Sequence, residues 1–310
     1  MLPLKDNTKT TMRIKFSHLP ILLLFTALNI NAQQIFKLNP FVQSDFIVNP
    51  AAAGASGNMS IGLTHKKMWS GIDGGPQTTV LFADNYFSRL NTGIGFVLYN
   101  DVTGPTQRSG GELCVSYSVP FSNNKKLMFG LSGQALQEKI NFAEIEKYIP
   151  GDPLLSGSNA VFSGDAAAGI YFTSKKLKVG FSAKQLIQSK LNFIKTDNEI
   201  YSRLYRHYYV VGSYNFITDE ENIVTPNVLI KFASNAPVDV EVGAKIEHRD
   251  FISCGFSYHY KQDYTAFVGL KINHVFSIGY VYEQYKTPLS TFDGGGGSNE
   301  LMLKYTFNKK

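Results

Sequence analysis

The stretch VDVEVGAKIE, residues 238–247, alternates apolar side chains with charged or small ones at every position. Side chains of a β-strand point to opposite faces with a period of two, so the stretch predicts a strand with one apolar and one polar face. Such a strand suits a wall that separates an apolar environment from a polar one. The pattern decides the fold if it recurs along the chain.

The alternation does recur on both sides of this stretch. From Asn58 onward, segments of about ten alternating residues are separated by turns rich in Gly, Asn, Asp, Pro or Lys. These segments predict fourteen strands, near residues 59–67, 77–87, 92–101, 110–120, 126–138, 162–173, 176–186, 203–216, 223–233, 237–247, 249–260, 262–272, 274–285 and 299–308.

A soluble β-sandwich shows the same alternation, because its polar face meets water. Three features favour a membrane barrel: an even strand number, connectors of unequal length, and aromatic residues crowded at strand ends. The aromatic clusters are Tyr205, Tyr208 and Tyr209, Tyr258, Tyr260 and Tyr264, and Tyr280, Tyr282 and Tyr285. The sequence therefore predicts an all-β fold, a transmembrane antiparallel β-barrel in the cell outer membrane.

The start of the chain has the layout of a secretory signal peptide. Four basic residues precede an apolar run from Leu19 to Ile30, and Ala32 supplies the small residue of a cleavage site. The run is shorter than the roughly 20 residues that a membrane-spanning helix needs. We expect three parts: residues 1–32 as a signal peptide, 33–57 as a periplasmic N-terminal segment, and 58–310 as the outer-membrane β-barrel.

Charge and cysteine content narrow the function classes. The net charge is +6, of which the signal contributes +3 through four basic residues and one acid, leaving about +3. That charge is too weak, and too dispersed, for a nucleic-acid-binding protein. The cysteines Cys114 and Cys254 lie far apart in separate strand patterns. A disulfide is open to them in an oxidising compartment, but two unpaired thiols are the favoured interpretation.

The sequence shows no local catalytic, metal-binding or cofactor-binding pattern. None of the histidines stands at a metal-ligand interval from another histidine or a cysteine: His18, His65, His207, His248, His259 and His274. No Gly-x-Ser-x-Gly motif is present, and the run 294–297 lacks the Lys-Ser/Thr of a phosphate loop. We expect no enzyme activity, no metal and no cofactor. A serine–histidine arrangement formed only in space, as in a barrel lipid hydrolase, stays open.

The longest irregular stretch runs from Gln137 to Leu155 and contains Pro150-Gly151-Asp152-Pro153, which stops regular structure. Long loops on a rigid scaffold often carry binding. An unstructured extracellular loop and a binding loop are both consistent with this composition.

Particular motifs stand at both ends of the predicted barrel. The first are Asn-Pro-Ala-Ala-Ala-Gly at 49–54, WSGIDGGPQT at 69–78, and Gly93-Ile94-Gly95 followed by Asn100-Asp101 and Gly104. Pro226 with Lys231, IGYVYE at 278–283 and NELMLKY at 299–305 follow near the C-terminus. Together they resemble the PorP/SprF family of Bacteroidetes outer-membrane proteins over essentially the whole chain after residue 32. The resemblance marks these residues as family-motif positions and candidate partner contacts: Asn49, Pro50, Gly54, Trp69, Gly71, Gly74, Pro76, Asp101, Glu283 and Glu300.

The resemblance implies a non-enzymatic outer-membrane component of the type IX secretion or gliding machinery, which docks or exports a surface protein such as an adhesin. The implied partners are outer-membrane lipid, periplasmic type IX secretion and motor proteins, and the secreted adhesin or other surface protein, with no nucleic acid. A passive outer-membrane channel or small-solute transporter is the alternative. The motif around Trp69 either contacts a partner or only shapes the first hairpin.

Overall fold

The structure of the protein is a computed structural model that describes residues 36–307, except 123, 148, 152–157, 192–201, 234–235, 287–288, 293 and 295. The predicted signal peptide, residues 1–32, lies outside the described residues, as does part of the stretch 137–155. The described helices are short: two 3-10 turns, Asp45–Ile47 and Pro50–Ala52, and two α-helices, Phe142–Glu146 and Leu289–Phe292. Over the described ranges, no helix is both long and apolar enough to cross a membrane.

Seventeen strands are described. Their bounds are β1 Met59–Lys67, β2 Gln77–Phe87, β3 Thr92–Thr103, β4 Thr106–Ser122, β5 Lys125–Asn141, β6 Ser158–Thr173, β7 Leu177–Lys184, β8 Lys190–Leu191, β9 Ser202–Arg203, β10 His207–Tyr214, β11 Phe216–Ile217, β12 Asn222–Ala233, β13 Asp239–His248, β14 Ile252–His259, β15 Asp263–Ile272, β16 Phe276–Tyr285 and β17 Ser298–Phe307.

The wall is a closed antiparallel barrel, because β1 pairs with β2 on one side and with β17 on the other. β10 and β11 are two parts of one wall strand that both pair with β12, while β8 and β9 pair with each other outside the wall. Within the described chain the wall therefore has fourteen strands, and the predicted fourteen-stranded barrel is confirmed. In a closed wall the backbone N–H and C=O groups of each strand bond to neighbouring strands, so they need no partner from the bilayer core, which offers none.

The alternation of the sequence separates the two faces of this wall. In β1, Met59 and Leu63 are 43 % and 42 % exposed on the outside, while Thr64 and Lys66 are fully buried inside. The stretch 238–247 follows the same rule, with its valines outward and its acids inward. Cys114 faces inward and Cys254 outward, and both are unpaired, as predicted.

The strands are longer than predicted where both faces become polar. β4 and β5 have 17 residues each, because pairing continues past the apolar segments through cross-strand partners such as Arg108 and Glu138. The Arg108 guanidinium lies 2.6 Å from the Glu138 carboxylate. In these polar parts of β4 and β5, hydrophobic alternation no longer predicts a strand, although the backbone pairing between the strands continues.

The two ends of the barrel differ. Six short turns of two to four residues join β2–β3, β4–β5, β6–β7, β11–β12, β13–β14 and β15–β16 at one end, the short-turn end. All connectors of nine residues or more lie at the other, long-loop end: 68–76, 142–157, 185–206 and 286–297. The difference in connector length between the two ends agrees with the prediction and is typical of outer-membrane barrels.

The barrel lumen is filled by the chain itself. Residues Phe36–Gly57, hereafter the plug, descend inside the wall from the long-loop end to the start of β1, and Leu38, Phe46 and Ala51 are at most 2 % exposed. This placement differs from a periplasmic segment free to contact partners. The physical reason is composition: the plug carries seven large apolar side chains that periplasmic water would disfavour.

Candidate functional site

The site with the most particular geometry is the contact between the plug and the wall. It brings together two groups of family-motif residues, Asn49, Pro50 and Gly54 in the plug, and Glu283 and Glu300 on β16 and β17. The remaining motif residues lie at the long-loop end and are described separately below.

Asn49 anchors the middle of the plug. Its Oδ1 accepts a hydrogen bond of 3.0 Å from the Ala51 N–H, which caps the 3-10 turn Pro50–Ala52. Its Nδ2 donates to the carbonyl of Ile170 on β6 at 3.0 Å and to that of Phe181 on β7 at 3.3 Å. The side chain thus satisfies its own turn and fixes it to the wall. Pro50 begins this turn and is buried.

The wall makes room for the plug through glycines. A Cβ atom at Gly93, Gly130 or Gly169 would collide with Ala53, Ala51 or Asn49, respectively. These glycines and two others with the same property form a socket on the lumen face, the glycine socket: Gly93, Gly95, Gly130, Gly169 and Gly180. Each permits closer approach of the plug than any side chain would.

Gly54 ends the plug. Its φ of +71° is a left-handed conformation that favours glycine, and its N–H donates to Asp84 at 3.0 Å. The Asp84 carboxylate also accepts a 2.6 Å hydrogen bond from Ser60 at the beginning of β1. The turn from the plug into the wall is therefore held by one buried carboxylate.

Further wall side chains hold plug backbone carbonyls. Ser116 donates to the Ala53 carbonyl at 2.7 Å, and Ser182 donates to that of Val48 at 2.6 Å. Lys184 donates to the Ile47 carbonyl at 2.8 Å and to Glu112 at 2.7 Å. Three buried carbonyls of the apolar plug thus receive hydrogen bonds from lumen side chains, as burial of polar backbone groups requires.

The other end of the plug enters a cluster of buried charges, the carboxylate cluster, composed of Asp239, Glu241, Asp263, Glu283 and Glu300. Lys66 of β1 lies 2.9 Å from Glu283 and 3.6 Å from Glu300. Asn39 of the plug donates its backbone N–H to Glu300 at 3.1 Å and its Nδ2 to Glu241 at 3.3 Å. Asn39 Nδ2 also donates to Glu283 at 3.5 Å, so both predicted acids contact the plug through Asn39 and share the wall cation Lys66.

Lys37 brings a second cation to the carboxylate cluster. Its Nζ lies 2.8 Å from Nδ1 of His259 and 3.5 Å from Glu241. Burial by itself would lower the pKa of Lys37, but the carboxylates of Glu241, Glu283 and Asp263 outweigh burial and raise it above its ordinary value. Lys37 therefore stays protonated and supplies a charge that the wall acids need.

His259 belongs to the same buried network of charged groups. It contacts Asp239 and Asp263, the latter at 2.9 Å, whereas Nδ1 of His207 contacts the Tyr205 carbonyl at 2.8 Å. Over the part of the chain that the structure describes, no cluster of three His, Cys, Asp or Glu residues has a metal-binding arrangement.

The motif around Trp69 ties three hairpins together at the long-loop end. Trp69 itself is half-buried with a φ of +51°, and the Met68 N–H donates to the Pro76 carbonyl at 2.8 Å. The Gly104 N–H donates to the Gly74 carbonyl at 3.0 Å, and the Ser70 N–H to the Gly297 carbonyl at 3.0 Å.

The other motif residues of this region have local partners or lie at the surface. Asp101 on β3 accepts a 2.5 Å hydrogen bond from Thr78 on β2, and Gly71 is exposed in the loop. Among the described residues, the hydrogen bonds of this region join the loops of the long-loop end to one another.

The sequence analysis assigned no role to Lys37, Asn39, Lys66 or His259, and of the glycine socket it singled out only Gly93 and Gly95, as motif residues. A usable signal was present: on the polar face, charged residues recur within three residues of the strand ends that meet at the long-loop end. Neighbouring antiparallel strands place those positions at one level, so they converge inside a barrel.

Comparisons with known proteins agree with this architecture. The family model described as type IX secretion system membrane protein PorP/SprF matches residues 30–305. No curated protein matches the chain significantly.

Solved structures match at the level of the fold. The CymD monoaromatic hydrocarbon channel is 9% identical with a TM-score of 0.50, over 86% of this chain and 94% of that one. A FadL homologue of Pseudomonas aeruginosa is 13% identical with a TM-score of 0.50, over 84% and 93%.

Proposed function

The chain belongs to the PorP/SprF family of type IX secretion system membrane proteins and is an outer-membrane β-barrel, and from this premise we propose that it docks or exports a surface protein without catalysing a reaction. Its partners under this proposal are periplasmic components of the secretion or gliding machinery and the exported protein, such as an adhesin. The family-motif residues take part mainly by holding the plug and by shaping the loops.

The filled lumen is the observation that carries the proposal. A passive channel needs a continuous aqueous path, whereas here the plug packs on the glycine socket and its Asn39 bonds to Glu300 and Glu241. A closed barrel suits a component that presents surfaces and loops to other proteins. It also suits a barrel that opens only when a partner engages it.

Two measurements on the full chain test the proposal. Purified protein in a planar bilayer is expected to show no steady conductance, since the plug blocks the lumen. Cells that lack the chain are expected to accumulate their type IX surface proteins inside the cell instead of exporting them. Expression of the full-length chain is expected to restore export. Normal export in cells without the chain would refute the secretion role.

The second candidate function is a passive channel for small solutes. It is favoured by a cavity of about 320 Å³ between the plug and the β10–β13 wall, lined by Asp45, Lys178, Lys245 and Lys304 among others. All residues of β12 are half-buried, and Thr225, Asn227 and Leu229 of this strand line the cavity. A steady, ion-selective conductance of the wild-type protein, together with unchanged export in cells that lack it, would favour the channel.

A further inference from the structure

The short-turn end carries strongly segregated charge. In outer-membrane barrels the short turns face the periplasm, so this end is the periplasmic one. Three consecutive turns, β2–β3, β4–β5 and β6–β7, with the residues that flank them, supply six basic side chains, hereafter the basic rim: Arg89, Lys125, Lys126, Lys175, Lys176 and Lys178. None of the turn residues 88–91, 123–124 and 174–176 is acidic.

The next turn around the same end has the reverse character; it follows the β6–β7 turn because β10 pairs with β7 in the wall. The β11–β12 turn exposes Asp219, Glu220 and Glu221 in succession. Arg249 neutralises Glu221 across 2.7 Å, and Asp250 is bound by Lys271 at 2.6 Å. The acidic turn that borders the basic rim is thus partly neutralised within the chain, whereas the charged side chains in the three basic turns are all positive.

The basic rim forms one surface because its turns are neighbours. Adjacent strands lie about 4.8 Å apart, so successive hairpin turns lie about 10 Å apart, within one Debye length at moderate salt. Arg89, Lys125, Lys175 and Lys176 are exposed. Leu90, beside Arg89 at the tip of its turn, is 66 % exposed and adds an apolar contact to the cationic surface.

Two members of the basic rim extend the surface into the barrel mouth. Lys126 and Lys178 share strand faces with lumen residues, and Lys126 lies 4.0 Å from the centre of the Tyr86 ring. Lys178 lies 4.0 Å from Asp45 of the plug, and the same carboxylate accepts a 2.6 Å hydrogen bond from the Tyr171 hydroxyl. A partner that covers the rim therefore also reaches the plug.

We propose that the basic rim is the docking surface for a periplasmic protein that presents an acidic face with an apolar contact for Leu90. This inference deepens the proposed function and rests on it, because it assigns the surface by which a periplasmic partner engages the barrel. Complementary charge would steer the encounter and set the orientation of the complex.

Anionic lipid is the competing occupant, since basic residues at a membrane surface also attract phosphate headgroups. The placement of Lys126 and Lys178 favours a protein. Both face the barrel mouth, which a bilayer leaflet does not enter, whereas a protein surface can bridge the rim and the mouth.

The test places a photoreactive benzoylphenylalanine at position 90 in the full-length chain in intact cells. We expect a discrete adduct with a periplasmic protein whose contact surface is acidic. The triple variant Lys125→Glu, Lys175→Glu, Lys176→Glu is expected to lower the adduct roughly tenfold, because it reverses three exposed charges. The matched control reverses three exposed charges at the long-loop end, with Lys139→Glu, Lys147→Glu and Lys261→Glu, and should leave the adduct unchanged.

The outcomes separate the two levels of inference. Adducts with lipid alone, or an adduct that the rim triple does not weaken, would overturn the basic-rim proposal. Folding of each variant is checked by the heat-dependent gel migration of the closed barrel. Normal export in cells without the chain rejects the proposed function itself. If such cells have an export defect and the rim triple variant restores export fully, only the basic-rim proposal is rejected.

Discussion

Gly130 shows how a missing side chain creates a binding site inside this barrel. A Cβ at Gly130 would collide with Ala51 of the plug, whereas a Cβ at Gly133 of the same strand would meet nothing within 4 Å. Gly130→Val should therefore displace the plug and cost about 1–3 kcal/mol, the usual effect of overpacking. Denaturant unfolding in lipid vesicles and amide hydrogen exchange at residues 46–54 measure both effects.

Gly133→Val is the matched control on β5, with the same chemical change on the outer face. It should leave hydrogen exchange of the plug as in the wild type. Equal exchange in the two variants would mean that the glycine socket does not position the plug.

Lys66 carries the balance of charge in the carboxylate cluster. It is fully buried between Glu283 and Glu300, so Lys66→Met removes the cation that forms ion pairs with both buried acids. Removing one partner of a buried ion pair typically costs about 3–5 kcal/mol. The free energy of unfolding should fall by that order.

A double variant makes the test of Lys66 specific. Adding Glu283→Gln to Lys66→Met should recover part of the lost stability, because it removes one of the stranded charges. A single variant as stable as the wild type, or a double variant with purely additive losses, would contradict the charge-balance argument.

At the scale of elements, the strands were predictable and the plug was not. Alternation located all fourteen wall strands because each must present lipid and lumen faces, a constraint that acts residue by residue. The plug has no such periodicity. Its position depends on lumen glycines and acids that are distant in sequence, such as Gly169 and Glu300. A periodic pattern within a short stretch of sequence carries no information on such long-range contacts.

The junction between plug and wall supplies a test at this scale. Gly54 and Gly57 both have positive φ, +71° and +81°, but a Cβ at Gly54 would lie 2.7 Å from the Asn85 carbonyl oxygen, whereas Gly57 has open space. Gly57→Ala should cost only the left-handed backbone penalty, about 1–2 kcal/mol. Gly54→Ala should cost clearly more, because the clash also disturbs the bond to Asp84. Parallel unfolding curves measure the difference, and equal losses would show that the junction tolerates movement.

The whole molecule combines a wall that is complete without the plug and a plug that depends on the wall. The fourteen-stranded ladder closes through β1 and β17, and the backbone pairs among its described residues do not include the plug. The plug, in contrast, has its apolar side chains and its motif held by lumen residues. Partner binding at the basic rim would act on the molecule where these two parts meet.

Deletion of residues 36–55 should therefore leave a closed barrel with an open lumen. Far-ultraviolet dichroism should keep its β signal, and planar bilayers should show a steady conductance absent from the wild type. Stability should fall, because the buried acids lose Lys37 and Asn39. A synthetic peptide of residues 36–57, added to the deleted barrel, should reduce the conductance. The same peptide with Asn49→Asp should reduce the conductance less, because a carboxylate cannot donate hydrogen bonds to the carbonyls of Ile170 and Phe181. A barrel that lacks residues 36–55 and still shows no conductance would mean that the loops, and not the plug, block the lumen.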